Sequence, residues 1–437
     1  MRTISLTAVA LLGAALLAPV GTATAAGETC QGQAATIVGT PGGQITGTDG
    51  ADVIVTNDAI RVDALGGDDL VCATGVRGGY HSVFAILGAG ADTFIPSERG
   101  GSTIYAGTVD GTDTEADVIR SSGTGGLVVS GMAGEPNADI IDLGSNGVGE
   151  VRWSGIQTAP GAVSVGPGMG GTLGIRSANG DVTMDASGTV TGADTALTWT
   201  GQFAGLGFTT SAEYGRFTFR GTSGTERVKV DAPTTYDRDI ALGSGDYDLY
   251  ESNSLGGKAT RITGDGEHNQ LLLDLHSHDR VRVDLSGSRV TATKAGVEES
   301  ARVRGFNSLT VAAKRAVVIG TDRADIITVA ACRTIIKGMK GRDILYAEVK
   351  YRGSRFDPWI RPECSNYEAT IDGGPGSDLI EGSPGDDRLI GGPGNDGITG
   401  MNGDDRLIGG PGNDSVEGKK GRDVCQGERV RDCEKRL

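Results

Sequence analysis

The stretch GDDRLIGGPGND, Gly385–Asp396, returns unchanged as Gly403–Asp414, an offset of 18 residues. From Gly373 the chain divides every nine residues into GGPGSDLIE, GSPGDDRLI, GGPGNDGIT, GMNGDDRLI, GGPGNDSVE and GKKGRDVCQ. Position one is always glycine: Gly373, Gly382, Gly391, Gly400, Gly409 and Gly418. Position four is glycine too: Gly376, Gly385, Gly394, Gly403, Gly412 and Gly421. Position six is always aspartate: Asp378, Asp387, Asp396, Asp405, Asp414 and Asp423. Position eight is apolar or cysteine: Ile380, Leu389, Ile398, Leu407, Val416 and Cys425.

This spacing has a physical reading. Glycine permits positive φ and close backbone approach, so positions one to six form a turn. Positions seven to nine form a very short strand whose middle residue alone points inward. Nine residues then make half a coil and eighteen a full coil, which stacks equivalent residues about 4.8 Å apart. Aspartates stacked so closely repel one another unless a cation separates them. Carboxylates and carbonyls alone, in flexible geometry, suit calcium, whereas magnesium demands a stricter octahedron.

The nonapeptides resemble the RTX, or haemolysin-type, calcium-binding repeats of consensus GGxGxDxUx. The resemblance implies an all-β fold, a right-handed parallel β-solenoid ending in a calcium β-roll. Ca2+ would lie between successive turns on each edge, held by the position-six aspartates and by loop carbonyls of the position-one and position-four glycines. Carried onto this chain, one edge stacks Asp378, Asp396 and Asp414, and the other Asp387, Asp405 and Asp423. Adjacent pairs would frame four sites. Position five carries Ser377, Asn395 and Asn413 on the first edge and Asp386, Asp404 and Arg422 on the second. Lys419, Lys420 and Arg422 crowd the last turn, so Asp405/Asp423 is expected to be the weakest site.

Charge supports a metal. From Ile371 to Glu417 there are ten acidic and two basic residues, a net −8 in 47 residues. Without counterions such a block should be expanded. With calcium, binding energy becomes folding energy.

Outward from this block the signal weakens. GTDRADIIT (320–328) and GMKGRDILY (338–346) place Asp325 and Asp343 18 apart. Toward the N-terminus, Asp52, Asp69, Asp92, Asp117 and Asp139 follow at spacings of 17, 23, 25 and 22, which predicts rungs of a wider, irregular β-helix. A β-turn aspartate explains these residues as well as a calcium ligand does. The middle alternates short β-rich pieces with turns and shows no strict period. The expected organisation is a signal peptide at 1–26, degenerate β-helix repeats at 27–144, and a β-rich solenoid-like region at 145–315. Degenerate calcium-type repeats follow at 316–347, a disulfide-linked insertion at 348–370, and the calcium β-roll with a disulfide cap at 371–437.

Composition bounds the rest. Glycine is 74 of 437 residues and aromatics are 5 %, against a thick globular core. The balance of 56 acidic to 40 basic residues argues against nucleic acid or anionic membranes as partners. Arg2, the apolar run Ile4–Val20 and Ala23-Thr24-Ala25 read as a signal peptide, so the protein is expected to be secreted. No other apolar run reaches the length of a membrane span. Six cysteines in an exported chain imply disulfides, and proximity favours Cys30–Cys72, Cys332–Cys364 and Cys425–Cys433.

Enzyme motifs are missing: there is no HExxH, no GxSxG and no Walker loop. His276-x-His278 reads as two exposed side chains beside Asp274 and Asp279 rather than a metal pair. The basic, aromatic insertion offers Arg352, Arg355, Trp359 and Arg361 as the candidates for polysaccharide chemistry. The expectation is a secreted calcium-binding protein with a structural or adhesive role. An extracellular lyase or hydrolase acting on polysaccharide is the alternative. Beyond calcium, a polysaccharide or a cell surface is the open partner class.

Overall fold

The computed structural model describes residues 27–436 apart from 76–81, 98–99, 110–112, 121–124, 145–148, 167–169 and 348–363. The signal-peptide segment, His81 and the insertion residues Arg352, Arg355, Trp359 and Arg361 lie outside the described residues.

Short strands build the C-terminal coils, four of them three residues long with one inward side chain and two, Gly397–Asn402 and Ser415–Lys420, six residues long. On one face Leu379–Glu381, Gly397–Asn402 and Ser415–Lys420 pair in parallel; on the other Arg388–Ile390, Arg406–Ile408 and Val424–Gln426 do so. Each pairing joins residues 18 apart, such as Ile380 to Ile398 and Leu389 to Leu407. The residues at position eight are all buried, and they fill the thin space between the two faces.

The same construction runs the length of the molecule. All but two of the strands belong to one connected set of ladders, and no helix occurs among the described residues. One inward row passes without a break through Ile45, Val62, Ala85, Ile104, Val128 and Val151. It continues through Leu173, Leu206, Val228, Tyr250, Leu271 and Leu309. It ends through Ile327, Leu345, Ile380, Ile398, Val416 and Val430. The chain is thus a parallel β-solenoid.

Its middle is wider because its strands are longer. Gly205–Thr210 and Arg216–Arg220 each turn two side chains inward, and the space takes Trp153, Phe208, Phe217, Phe219 and Tyr236. Phe208 and Phe217 stack with ring centroids 4.2 Å apart. The change to narrow coils occurs at Ser308–Ile319 and Ile326–Lys337, which run through the corner and pair on both faces. Two antiparallel excursions interrupt the coils, one around Thr189–Gly192 and one at Arg289–Lys294 and Val297–Arg304.

Disulfides pin three places. Cys30–Cys72 ties the short N-terminal hairpin, Thr29–Cys30 with Gln33–Ala34, onto the first coils. Cys332–Cys364 spans the base of the insertion, and Cys425–Cys433 closes the last coils.

Candidate calcium turns at the edges of the solenoid

The turns are shaped by backbone meeting backbone. Gly392, at position two, has φ of 112°, and a Cβ there would collide with the carbonyl oxygen of Gly374 in the preceding coil. A Cβ on Gly394, at position four, would collide with the carbonyl of Gly376. On Gly391, at position one, it would run into Oδ2 of Asp396. The glycines therefore leave room for stacked carbonyls and for one carboxylate per turn.

Those carboxylates form two ladders. On one edge each backbone N–H donates to Oδ1 of the next aspartate: Asp325 to Asp343 (2.9 Å), Asp343 to Asp378 (2.8 Å), Asp378 to Asp396 (2.9 Å) and Asp396 to Asp414 (3.0 Å). On the other edge Ala369 donates to Asp387 (2.6 Å), Asp387 to Asp405 (2.9 Å) and Asp405 to Asp423 (2.9 Å). Position five makes a parallel outer ladder. Asn395 Oδ1 accepts from Asn413 N–H (2.9 Å), and Asp386 Oδ1 accepts from Asp404 N–H (2.8 Å).

The turns are of two kinds. Asp343, Asp378, Asp396, Asp405, Asp414 and Asp423 each keep a buried Oδ2 with no hydrogen-bond partner. In all six the residue at position two has positive φ: Met339 82°, Gly374 94°, Gly392 112°, Met401 89°, Gly410 112° and Lys419 78°. Asp387 and Asp325 differ. Ser383 donates its N–H to Asp387 Oδ2 (2.5 Å) and its hydroxyl to Oδ1 (2.7 Å). Thr321 does the same for Asp325, at 2.5 and 2.9 Å. A hydroxyl residue at position two satisfies the carboxylate from within its own turn. A left-handed residue there leaves one oxygen orphaned, and a buried orphan oxygen costs roughly 1–3 kcal/mol.

Electrostatics agree. Burial, reinforced by the neighbouring carboxylate and opposed by the backbone N–H, pushes Asp378 and Asp396 up to about 6 and Asp405 to about 7. A cation would reverse that shift by supplying what the orphan oxygens lack. The set offers only carboxylate and carbonyl oxygens, a donor chemistry that suits calcium.

The basic residues of the last turn do not fill it. Arg422 pairs with Asp404 (2.6 Å) and Lys419 with Glu417 (2.8 Å), so Asp423 Oδ2 stays unpartnered.

Three arrangements escaped the sequence reading. Glu428 Oε2 accepts the N–H of Asp414 (2.8 Å) and Glu434 Oε2 that of Asp423 (2.6 Å), so two glutamates end the ladders. The same edge position also recurs back through the middle region, although Asn269 Oδ1 and Asn307 Oδ1 accept no hydrogen bond there. The strand residues that follow Glu226, Asp248, Asn269, Asn307 and Asp325 each pair in register. In that run Glu226 N–H donates to Asp248 Oδ1 (2.8 Å). Finally, His276 and His278 lie in a turn and not on one strand face. His276 sits at the surface against Asp274 (2.6 Å). His278, expected to be exposed, is buried against Glu299 (2.9 Å).

A parallel solenoid whose edge turns present stacked, under-satisfied carboxylates offers a donor set of the kind hard cations take. Residues 366–398 and 398–425 match the family of RTX calcium-binding nonapeptide repeats, in 4 copies, so this part of the chain is an RTX calcium-binding β-roll. No curated protein matches the chain.

Proposed function

We propose that the protein is a secreted structural rod whose C-terminal roll folds when it meets extracellular calcium. The observation that carries this is the set of six buried, unpartnered Oδ2 atoms, all in turns whose second residue has positive φ. The ions would be held by Asp378, Asp396 and Asp414 on one edge and by Asp405 and Asp423 on the other, with carbonyls of the turn glycines. Calcium would supply the positive charge that lets stacked carboxylates coexist. Extracellular modules bind it at roughly 10⁻⁴ to 10⁻³ M, so the roll would stay open inside a cell and close outside it. Three disulfides fit the oxidising setting this requires.

Titrating the chelated protein with calcium, followed by circular dichroism, tests the reading. A gain of β signal at millimolar calcium is expected, and an unchanged spectrum would sink it.

One observation favours an added role in binding polyanions. Arg280, Lys314, Arg315 and Arg333 line a cleft beside the Cys332–Cys364 disulfide. Turnover or retention of polyuronates, lost on Arg315→Ala, would support the alternative of a polysaccharide-acting enzyme.

A further inference from the structure

The N-terminal coils contain a second ladder far from the repeats that match the RTX family. Asp52 N–H donates to Asp69 Oδ1 (2.7 Å), Asp69 to Asp92 (2.8 Å), Asp92 to Asp117 (2.9 Å) and Asp117 to Asp139 (3.1 Å). Its ends are satisfied locally. Thr48 gives its N–H (2.8 Å) and hydroxyl (2.9 Å) to Asp52 Oδ2, and the Ser130 hydroxyl bonds Asp139 Oδ2 (2.7 Å). The interior is not satisfied. Asp69, 2 % exposed, and Asp92, 0 % exposed, each keep a buried Oδ2 without a partner, as does the fully buried Asp117 beyond them. No ion pair among the described residues reaches either.

The turns that carry these two residues, 64–69 and 87–92, copy the calcium turns of the roll at positions two to six, while position one is Ala64 and Leu87 in place of glycine. Position two is left-handed in both, at Leu65 (φ 73°) and Gly88 (φ 104°). A Cβ on Gly88 would collide with the Leu65 carbonyl, as one on Gly392 would with that of Gly374. A Cβ on Gly90 would collide with the Gly67 carbonyl, as one on Gly394 would with that of Gly376. Gly67 N–H donates to Ala89 O (2.8 Å), matching Gly376 N–H to Pro393 O (2.9 Å). Asp68 Oδ1 accepts the N–H of Ala91 (3.0 Å), matching the position-five ladder of the roll. Leu65 matters most, because a branched residue accepts positive φ only where the surrounding structure enforces it.

We propose that Asp69 and Asp92 frame a further calcium site, built from their orphan Oδ2 atoms and the stacked turn carbonyls, outside the matched repeats. Its ion would fix the N-terminal coils independently of the roll. The hydroxyls of Thr48 on Asp52 and of Ser130 on Asp139 mark where the run of unpartnered carboxylates, Asp69, Asp92 and Asp117, ends along the edge.

The test uses the full chain with calcium as the probe. Hydrogen exchange of 53–72 and 93–95 should slow on adding calcium to wild type. In Asp92→Asn, which keeps an Oδ1 acceptor for the Asp69 N–H, that slowing should vanish and bound calcium should fall by one per chain. Asp69→Asn gives the same readout where Asp92→Asn does not fold. Asp405→Asn should lose calcium from the roll while the N-terminal protection persists, which separates this site from the C-terminal ones. Exchange at 53–95 that ignores calcium in wild type, or an unchanged count in both N-terminal variants, overturns the proposal.

Discussion

At position two of each turn a single residue decides what becomes of a carboxylate four residues away. Ser383 closes the Asp387 turn on itself, while Gly392 leaves Asp396 an oxygen short. Replacing Ser383→Gly removes the hydroxyl bond to Oδ1 and lets position two take a positive φ, which turns its N–H from Asp387 Oδ2 toward the next coil as at Gly374 and Gly392; it should add one bound calcium per chain, counted by atomic emission after dialysis. An unchanged count would remove position two from the argument. Met401 has φ of 89°, a conformation costing a non-glycine residue roughly 1 kcal/mol, so Met401→Gly should raise the unfolding temperature of the calcium-loaded protein by a few degrees. Gly392→Ala meets both a positive φ and the Gly374 carbonyl. It should cost at least about 2 kcal/mol and shift the calcium midpoint to higher concentration in the same dichroism titration.

At the scale of the element, strands of three residues cannot hold together alone, so the end coils depend on covalent help. Cys425 occupies the inward position of its strand and is fully buried. Its bond to Cys433 closes a loop with a sequence separation of 8, worth about 2 kcal/mol in chain entropy. Cys433→Ser should speed amide exchange in Val424–Gln426 and Arg429–Arg431 and leave Leu379–Glu381 protected. The elements that could be read from sequence were those whose coil length is constant. Six units at a nine-residue period show strand, turn and inward residue at once. The N-terminal rungs blur because each coil has a different length, the ladder aspartates falling 17, 23, 25 and 22 residues apart. The middle hides its rungs for another reason. There the ladder position carries Glu226, Asn269 or Asn307 in place of aspartate, and the Arg289–Arg304 excursion inserts a hairpin between Asn269 and Asn307. Glu428 and Glu434 were illegible because a glutamate reaching back to a backbone N–H follows no repeat.

The whole molecule is one lattice of parallel pairing, and its acidity is concentrated on its edges. Without calcium, pH should govern how tightly the roll holds. Burial raises Asp378, Asp387 and Asp396 to about 6 and Asp405 to about 7, from an unfolded value near 4. A carboxyl raised in the folded state favours folding while it is protonated in both states. Its contribution is fully present below about pH 4 and is lost as pH rises through about 6 to 7. In chelator, the roll should thus show its highest denaturant midpoint near pH 4 and loosen toward neutrality. Millimolar calcium should flatten that profile above pH 6. A chelated protein that grew more stable from pH 4 to 7 would contradict the orphan-oxygen account.

Glu428 and Glu434 close the two ladders of the roll by accepting their last N–H groups. Every coil donates N–H groups toward the next, so a solenoid cut after Gln426 would present a bare row of donors at a flat sheet edge, with no coil to receive them. Such an edge is a template for another chain. Glu428 and Glu434 occupy it with carboxylates beside the Cys425–Cys433 disulfide. Removing residues 427–437 should therefore let copies add end to end, visible as calcium-dependent growth in light scattering.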